Sequence, residues 1–147
     1  MNRTNTPLQA SSPSQRAGQF AEDAALAILK LQGHTLVARN VYCRRGEIDL
    51  ITLHNHCLIF TEVRWRRSCG FGGAAASLTA QKQQRIIAAA RYFLCKEPHW
   101  QSYHLRFDAC FLKDNHPHGS ISGFKLLLTL FRDPRCTLKL RKCVMTA

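Results

Sequence analysis

Residues 46–66 read GEIDLITLHNHCLIFTEVRWR, and the fold turns on this stretch. The runs 47–53 and 57–66 are rich in Ile, Leu, Phe and Val, which favour a pleated, half-buried surface. His54, Asn55 and His56 lie between them, so an antiparallel hairpin is the simplest connection. Two acids interrupt the apolar runs. Asp49 sits between Ile48 and Leu50, and Glu62 between Phe60 and Val63. A carboxylate in such a setting is expensive unless it is paired, hydrogen-bonded or bound to a cation.

Strand periodicity puts Glu47, Asp49 and Ile51 on one face, and Phe60, Glu62, Arg64 and Arg66 on one face. An even-length loop, either 55–56 or 54–57, sets Asp49 directly opposite Glu62. Their Cβ atoms would then be ~4.5–5.5 Å apart. An odd-length loop without a bulge would put them on opposite faces.

Two adjacent carboxylates repel unless something positive sits between them. Mg²⁺ (or Mn²⁺) suits that place, because it takes oxygen ligands and is commonly held by one or two carboxylates plus phosphate oxygens. Arg64, next along the Glu62 face, can grip a phosphate or stabilise developing charge. The set suits phosphodiester hydrolysis, in which a metal polarises the phosphate and activates water. The plainer alternative is a solvated sheet face carrying ordinary Glu62–Arg64 and Glu47–Arg45 ion pairs.

The whole chain is consistent with an anionic partner. Its 147 residues hold 21 Lys+Arg against 9 Asp+Glu, a net charge of +12, which favours a polyanion such as nucleic acid. A hydrophobic share of 46% excludes intrinsic disorder, and the length fits one domain. The longest dense apolar stretch, 124–131, contains Lys125 and is far short of the ~20 residues a membrane span needs. Seven cysteines without a C-x-x-C pair, and no secretory leader, read as a reduced, cytoplasmic protein. The pairs His54/His56 and His116/His118 are weak metal signals.

Working outward, residues 1–13 read as a flexible lead. A helix is expected from about Ser14 to Gln32, on the stripe Ala17, Phe20, Ala21, Ala24, Ala25, Ile28 and Leu31, with Gly33 as its stop. A strand is expected over 35–42 and a turn at 44–46. Residues 67–76 form a Gly/Ala loop, better read as a connection than as a phosphate cradle. Thr79 is a plausible N-cap for a helix that ends near Lys96, before Pro98. Residues 103–112 alternate as a strand, with Asp108 beside Arg106 on the polar face, where a structural pair is expected. This order predicts an α/β fold, a mixed sheet flanked by helices, in one domain over 14–118. The basic segment 119–147 reads equally as a last strand or helix plus an arm, or as an unstructured end. Arg44, Arg45, Arg66, Arg67 and Lys82 cluster near the acidic pair by topology. They are candidates for phosphate contact, with a solvated basic face as the alternative.

The combination of Glu22 in the first helix, Asn40, GEIDLI at 46–51, FTEVRWR at 60–66, FGGAAASL at 71–78, Lys82 and RFD at 106–108 resembles the YraN-type family. That family is similar to archaeal Holliday junction resolvases, of the restriction-endonuclease-like, PD-(D/E)XK superfamily. The resemblance covers roughly residues 14–112 and implies a nuclease site on the hairpin. By position, Asp49 matches the metal-binding aspartate, Glu62 and Arg64 match the acid and the basic residue of the E-x-K element, and Glu22 matches a helix glutamate that assists. Lys82 or Gln83 matches an extra polar residue on the following helix. The implied partners are Mg²⁺ or Mn²⁺, DNA, and a second copy in a homodimer.

Arg64 departs from the superfamily lysine. An arginine effectively cannot give up its proton, so it would hold phosphate and leave water activation to the metal. The expected function is therefore a metal-dependent DNA endonuclease, with branched or otherwise structured DNA as a candidate substrate. A non-catalytic nucleic-acid-binding module on the same fold is the alternative, favoured by Arg64. A basic protein–protein adaptor is a third reading. The segment after about residue 118 departs from the family ending.

Overall fold

The computed structural model describes residues 12–66, 79–113 and 127–130. Residues 1–11, Arg67, the Gly/Ala loop, His116, His118 and the rest of the basic segment lie outside them, as does the Arg66 side chain.

Helix α1 spans Pro13–Leu31. It begins one residue before the expected start because Ser12 and Gln15 form a capping box, with Pro13 at the first helical position. Strands β1 (Thr35–Cys43), β2 (Gly46–His54) and β3 (Cys57–Arg66) follow. Helix α2 (Ala80–Lys96) is capped by Thr79, whose hydroxyl accepts from the Lys82 N–H at 3.2 Å. A short 3₁₀ turn over Pro98–Ser102 leads to β4 (His104–Lys113), and β5 covers Leu127–Leu130.

The strands form one five-stranded sheet in chain order. Pairing is antiparallel throughout except for β3 with β4, which are parallel and joined through α2. The mixed sheet flanked by helices is thus as the sequence predicts. Leu58, Phe60, Phe107, Ala109 and Phe111 pack under Ile86, Ala89, Ala90 and Phe93 of α2. Val63, Trp65, Cys110 and Leu112 alternate with them and pack with Ala21, Ala25, Leu26 and Leu29 of α1. The helices therefore cover opposite faces of the sheet.

The hairpin turn is the two-residue loop Asn55-His56. Both residues have positive φ, 47° and 59°, as a type I′ turn requires. This even loop sets the register His54↔Cys57 through Leu50↔Thr61. The even loop thus gives the expected register, and its paired residues end one step before Asp49 and Glu62.

The neighbouring backbone is irregular at the same place. Asn40, between the pairs Arg39↔Leu50 and Val41↔Ile48, has φ 50°, a left-handed position that asparagine tolerates. Ile48 and Ile51 both join the core under α2, so strict alternation along β2 slips around Asp49.

Candidate active site

Glu22, Glu47, Asp49, Glu62, Arg64 and Lys82 line one cleft of about 620 Å³ at the end of the sheet, between the start of α1 and the first turn of α2. The α1 wall is built of small residues, Ala17, Gly18 and Ala21, which keep that side open.

Asp49 is fixed by the strand beside it: the Val63 backbone N–H donates to its Oδ2 at 2.7 Å. Burial and the Glu62 charge push its carboxyl up to about 7. Burial also raises Glu62, against the opposing pull of Lys82 and Arg64. Glu62 is 4% exposed, and its two oxygens differ. Oε1 lies 3.1 Å from Lys82 Nζ and 3.1 Å from Arg64 Nε. Oε2 is buried with no hydrogen-bond partner among the described residues. The Arg64 contact is an ion pair without hydrogen-bond alignment, and its side chain is 41% exposed, so the guanidinium can turn toward an incoming anion. Glu22 lies on the cleft wall with its carboxylate 3.5 Å from Arg39, which also holds Asp23 at 2.8 Å.

Lys82 reaches further into the site than its reading as a phosphate contact suggests. Its ammonium bridges Glu47 Oε1 at 3.2 Å and Glu62 Oε1 at 3.1 Å, with only 15% of the side chain exposed. Glu47, which the plainer alternative paired with Arg45, faces Lys82 instead. The strand–helix packing explains how. A Cβ on Gly46 would overlap the backbone carbonyl of Arg85, so α2 can press against the start of β2 only because residue 46 is glycine. That approach puts the first turn of α2 over Glu47. A sequence signal existed: the first turn of α2 carries no acid and has Lys82 at its third position, where the helix dipole disfavours a cation unless an acid elsewhere compensates.

Arg44 and Arg45 occupy the β1–β2 turn and line a separate groove with Tyr42, Cys43, Ala88 and Tyr92. Arg66 ends β3, and Gln83 is partly buried on α2. Asp108 is outside the cleft and is clasped by Arg106, whose Nε and Nη2 donate at 2.8–3.2 Å. No helix among the described residues is long and apolar enough to cross a membrane.

Among the described residues, no three His, Cys, Asp or Glu side chains are grouped to hold a metal ion. What the cleft offers is a carboxylate pair, Asp49 and Glu62, with one buried oxygen unsatisfied and Asp49 holding its proton unusually tightly. That oxygen-only pair fits a hard cation that keeps most of its own waters.

The model of the uncharacterised protein family UPF0102 matches residues 21–112, which include Glu22, Asp49, Glu62, Arg64 and Lys82. A UPF0102 protein of Pseudomonas putida strain GB-1 is 47% identical over 112 residues, 76% of this chain and 90% of the relative. A UPF0102 protein of Pseudomonas syringae pv. tomato is 41% identical over 112 residues, covering 76% and 86%. One from Alcanivorax borkumensis is 47% identical over 94 residues, covering 64% and 75%. The chain belongs to the UPF0102, or YraN-type, family.

Proposed function

We propose that the protein is a metal-dependent phosphodiesterase of the restriction-endonuclease-like kind that cuts nucleic acid, with DNA as its first candidate substrate. The observation that carries this reading is the Asp49–Glu62 pair, half satisfied and open to a cleft that also holds Lys82 and Arg64. Asp49 and Glu62 would hold Mg²⁺ or Mn²⁺. Such an ion, once bound, polarises the phosphate and lowers the pKa of water.

The remaining work falls to side chains. The Val63 N–H fixes the Asp49 carboxylate, so it needs no reorganisation to bind a cation. Arg64 turns its exposed guanidinium to the scissile phosphate. Lys82 neutralises Glu47 and Glu62 before substrate arrives and can then donate to a phosphate oxygen. As a lysine it can also exchange a proton, which Arg64 cannot. The lysine missing from the Arg64 position of β3 would thus be supplied from α2. Glu22 borders the cleft as an assisting acid. A homodimer would present two such clefts to the two symmetric strands of a branched DNA.

The second reading is a non-catalytic nucleic-acid-binding module. It is favoured by Arg64 and by the double occupation of Glu62 Oε1. A cleavage assay on plasmid, flap and four-way-junction DNA with Mg²⁺ or Mn²⁺ separates the two. We expect metal-dependent cutting that Asp49→Ala removes. Cutting that survives in Asp49→Ala overturns the site, and salt-sensitive binding without metal-dependent cutting supports the module.

A further inference from the structure

Next to the carboxylate cleft lies a second groove, of about 590 Å³, lined by Tyr42, Cys43, Arg44, Arg45, Ala88 and Tyr92. Its chemistry is the reverse of the cleft's. No acid lines it, and it carries two tyrosines and two arginines. Tyr42 is 63% and Tyr92 45% exposed, and these two are half of the four large exposed apolar side chains among the described residues. Neither Arg44 nor Arg45 takes part in an ion pair among the described residues. Unpaired cations beside exposed ring faces leave both kinds of group available to a ligand.

The groove adjoins the cleft. Tyr42 is the cross-strand partner of Glu47, whose carboxylate is held by Lys82. The negative charges of Glu47, Glu22 and Asp49 help to raise the Tyr42 phenol, after burial, which places the ring within the field of the acidic cleft. On α2, Lys82, Arg85, Ala88 and Tyr92 follow at helical spacing from cleft to groove, and Lys96 Nζ approaches the Tyr92 ring at 5.9 Å.

We propose that this groove is a base-stacking subsite, in which Tyr42 and Tyr92 receive an unpaired base and Arg44 and Arg45 hold the flanking phosphates of a single-stranded segment leading into the carboxylate cleft. The inference deepens the nuclease reading and rests on it for the role of the adjoining cleft. Ring–base stacking is sequence-tolerant because every base has a π-face. In an intact duplex those faces are covered by neighbouring pairs, so the groove selects strands with unpaired bases. The volume is that of a small-ligand pocket, ample for a base and its sugar.

The test is binding without divalent metal, read by fluorescence anisotropy. The probes are a labelled oligothymidylate, an oligouridylate of equal length and a blunt duplex, at matched salt. The wild-type protein should prefer single strands to the duplex about 10-fold or more. The double variant Tyr42→Ala/Tyr92→Ala should lose that preference, whereas Tyr42→Phe/Tyr92→Phe should keep it, because the phenyl face stacks without the hydroxyl. The two single-stranded probes decide between DNA and RNA. A second measurement needs no variant: irradiating the wild-type complex with an iodouracil-substituted strand should cross-link Tyr42 or Tyr92. Equal or tighter duplex binding, an unchanged preference in the Ala variant, or cross-links confined to other residues overturns the subsite. Binding is read without metal and cutting with it, so the two ideas fail separately. A wild-type protein that cuts but shows no single-strand preference overturns only the subsite; the preference without cutting supports the subsite and overturns the nuclease step.

Discussion

Asp108 on β4 and Glu62 on β3 are buried acids one register step apart, since Thr61 is the partner of Asp108. Burial raises the pKa of both. Asp108 is answered completely and locally: Arg106, two residues away, grips both oxygens. Glu62 is answered from a distance and by half. One oxygen takes cations from β3 and α2, the other has no partner among the described residues, and Glu47 adds a like charge. Burial of an acid is therefore not the mark of a site in this sheet. An acid satisfied within its own strand holds structure, whereas one left partly unsatisfied is the kind that could take a ligand, as proposed for Glu62.

That contrast can be broken in order of expected effect. Removing the Asp49 carboxylate should hit chemistry hardest. Asp49→Ala is expected to lower metal-dependent cutting on the order of 1,000-fold, the scale of several kcal/mol of charge stabilisation. Arg106→Ala should do the opposite kind of damage. It leaves the Asp108 carboxylate buried alone, costs about 3 kcal/mol in denaturant unfolding, and does not alter the thermal response to Mn²⁺. Equal effects of both changes on cutting and on stability would erase the distinction.

Gly46→Ala tests how the distant cation reaches Glu62. The added methyl must push α2 from β2, so we expect about 1–3 kcal/mol of destabilisation by overpacking and reduced cutting as Lys82 withdraws. Normal stability and activity would show that the close approach is dispensable.

The smallest effect is on pH dependence. Asp49 rises from 3.8 to about 7, so between those values the fold holds a proton the open chain has lost, and stability falls as pH rises. His34 has the opposite sign. Burial, then the charges of His54 and Arg106, lowers it from 6.5 to about 4, so its contribution rises with pH and levels off about one unit above 6.5. In metal-free protein, the two trends together should leave a net fall of about 0.4 kcal/mol between roughly pH 6.5 and pH 8. Asp49→Asn should flatten that fall, since an amide oxygen still accepts from Val63. A slope unchanged in the variant would move the titration elsewhere.

Much of this was legible in the sequence. The hairpin register followed from two apolar runs and a loop of even length, and the Arg106–Asp108 pair from strand alternation. The resemblance named Glu22, Asp49, Glu62 and Arg64, and the cleft gathers all four. For Lys82 the sequence signalled a place near the site but not its partners, Glu47 and Glu62. That bridge depends on how closely α2 docks on β2, which Gly46 permits without specifying. The Tyr42–Tyr92 groove was missed for the same reason: its walls come from a strand and a helix far apart in sequence, and neither tyrosine carries a motif.

If Asp49 and Glu62 form a cation site, metal replaces a proton there. Calorimetric titration of Mn²⁺ into the protein near pH 7, in buffers of different ionisation heat, tests it directly. Binding with proton release is expected in the wild-type protein, and loss of both in Asp49→Asn. No binding, or binding and proton release unchanged in Asp49→Asn, would contradict it.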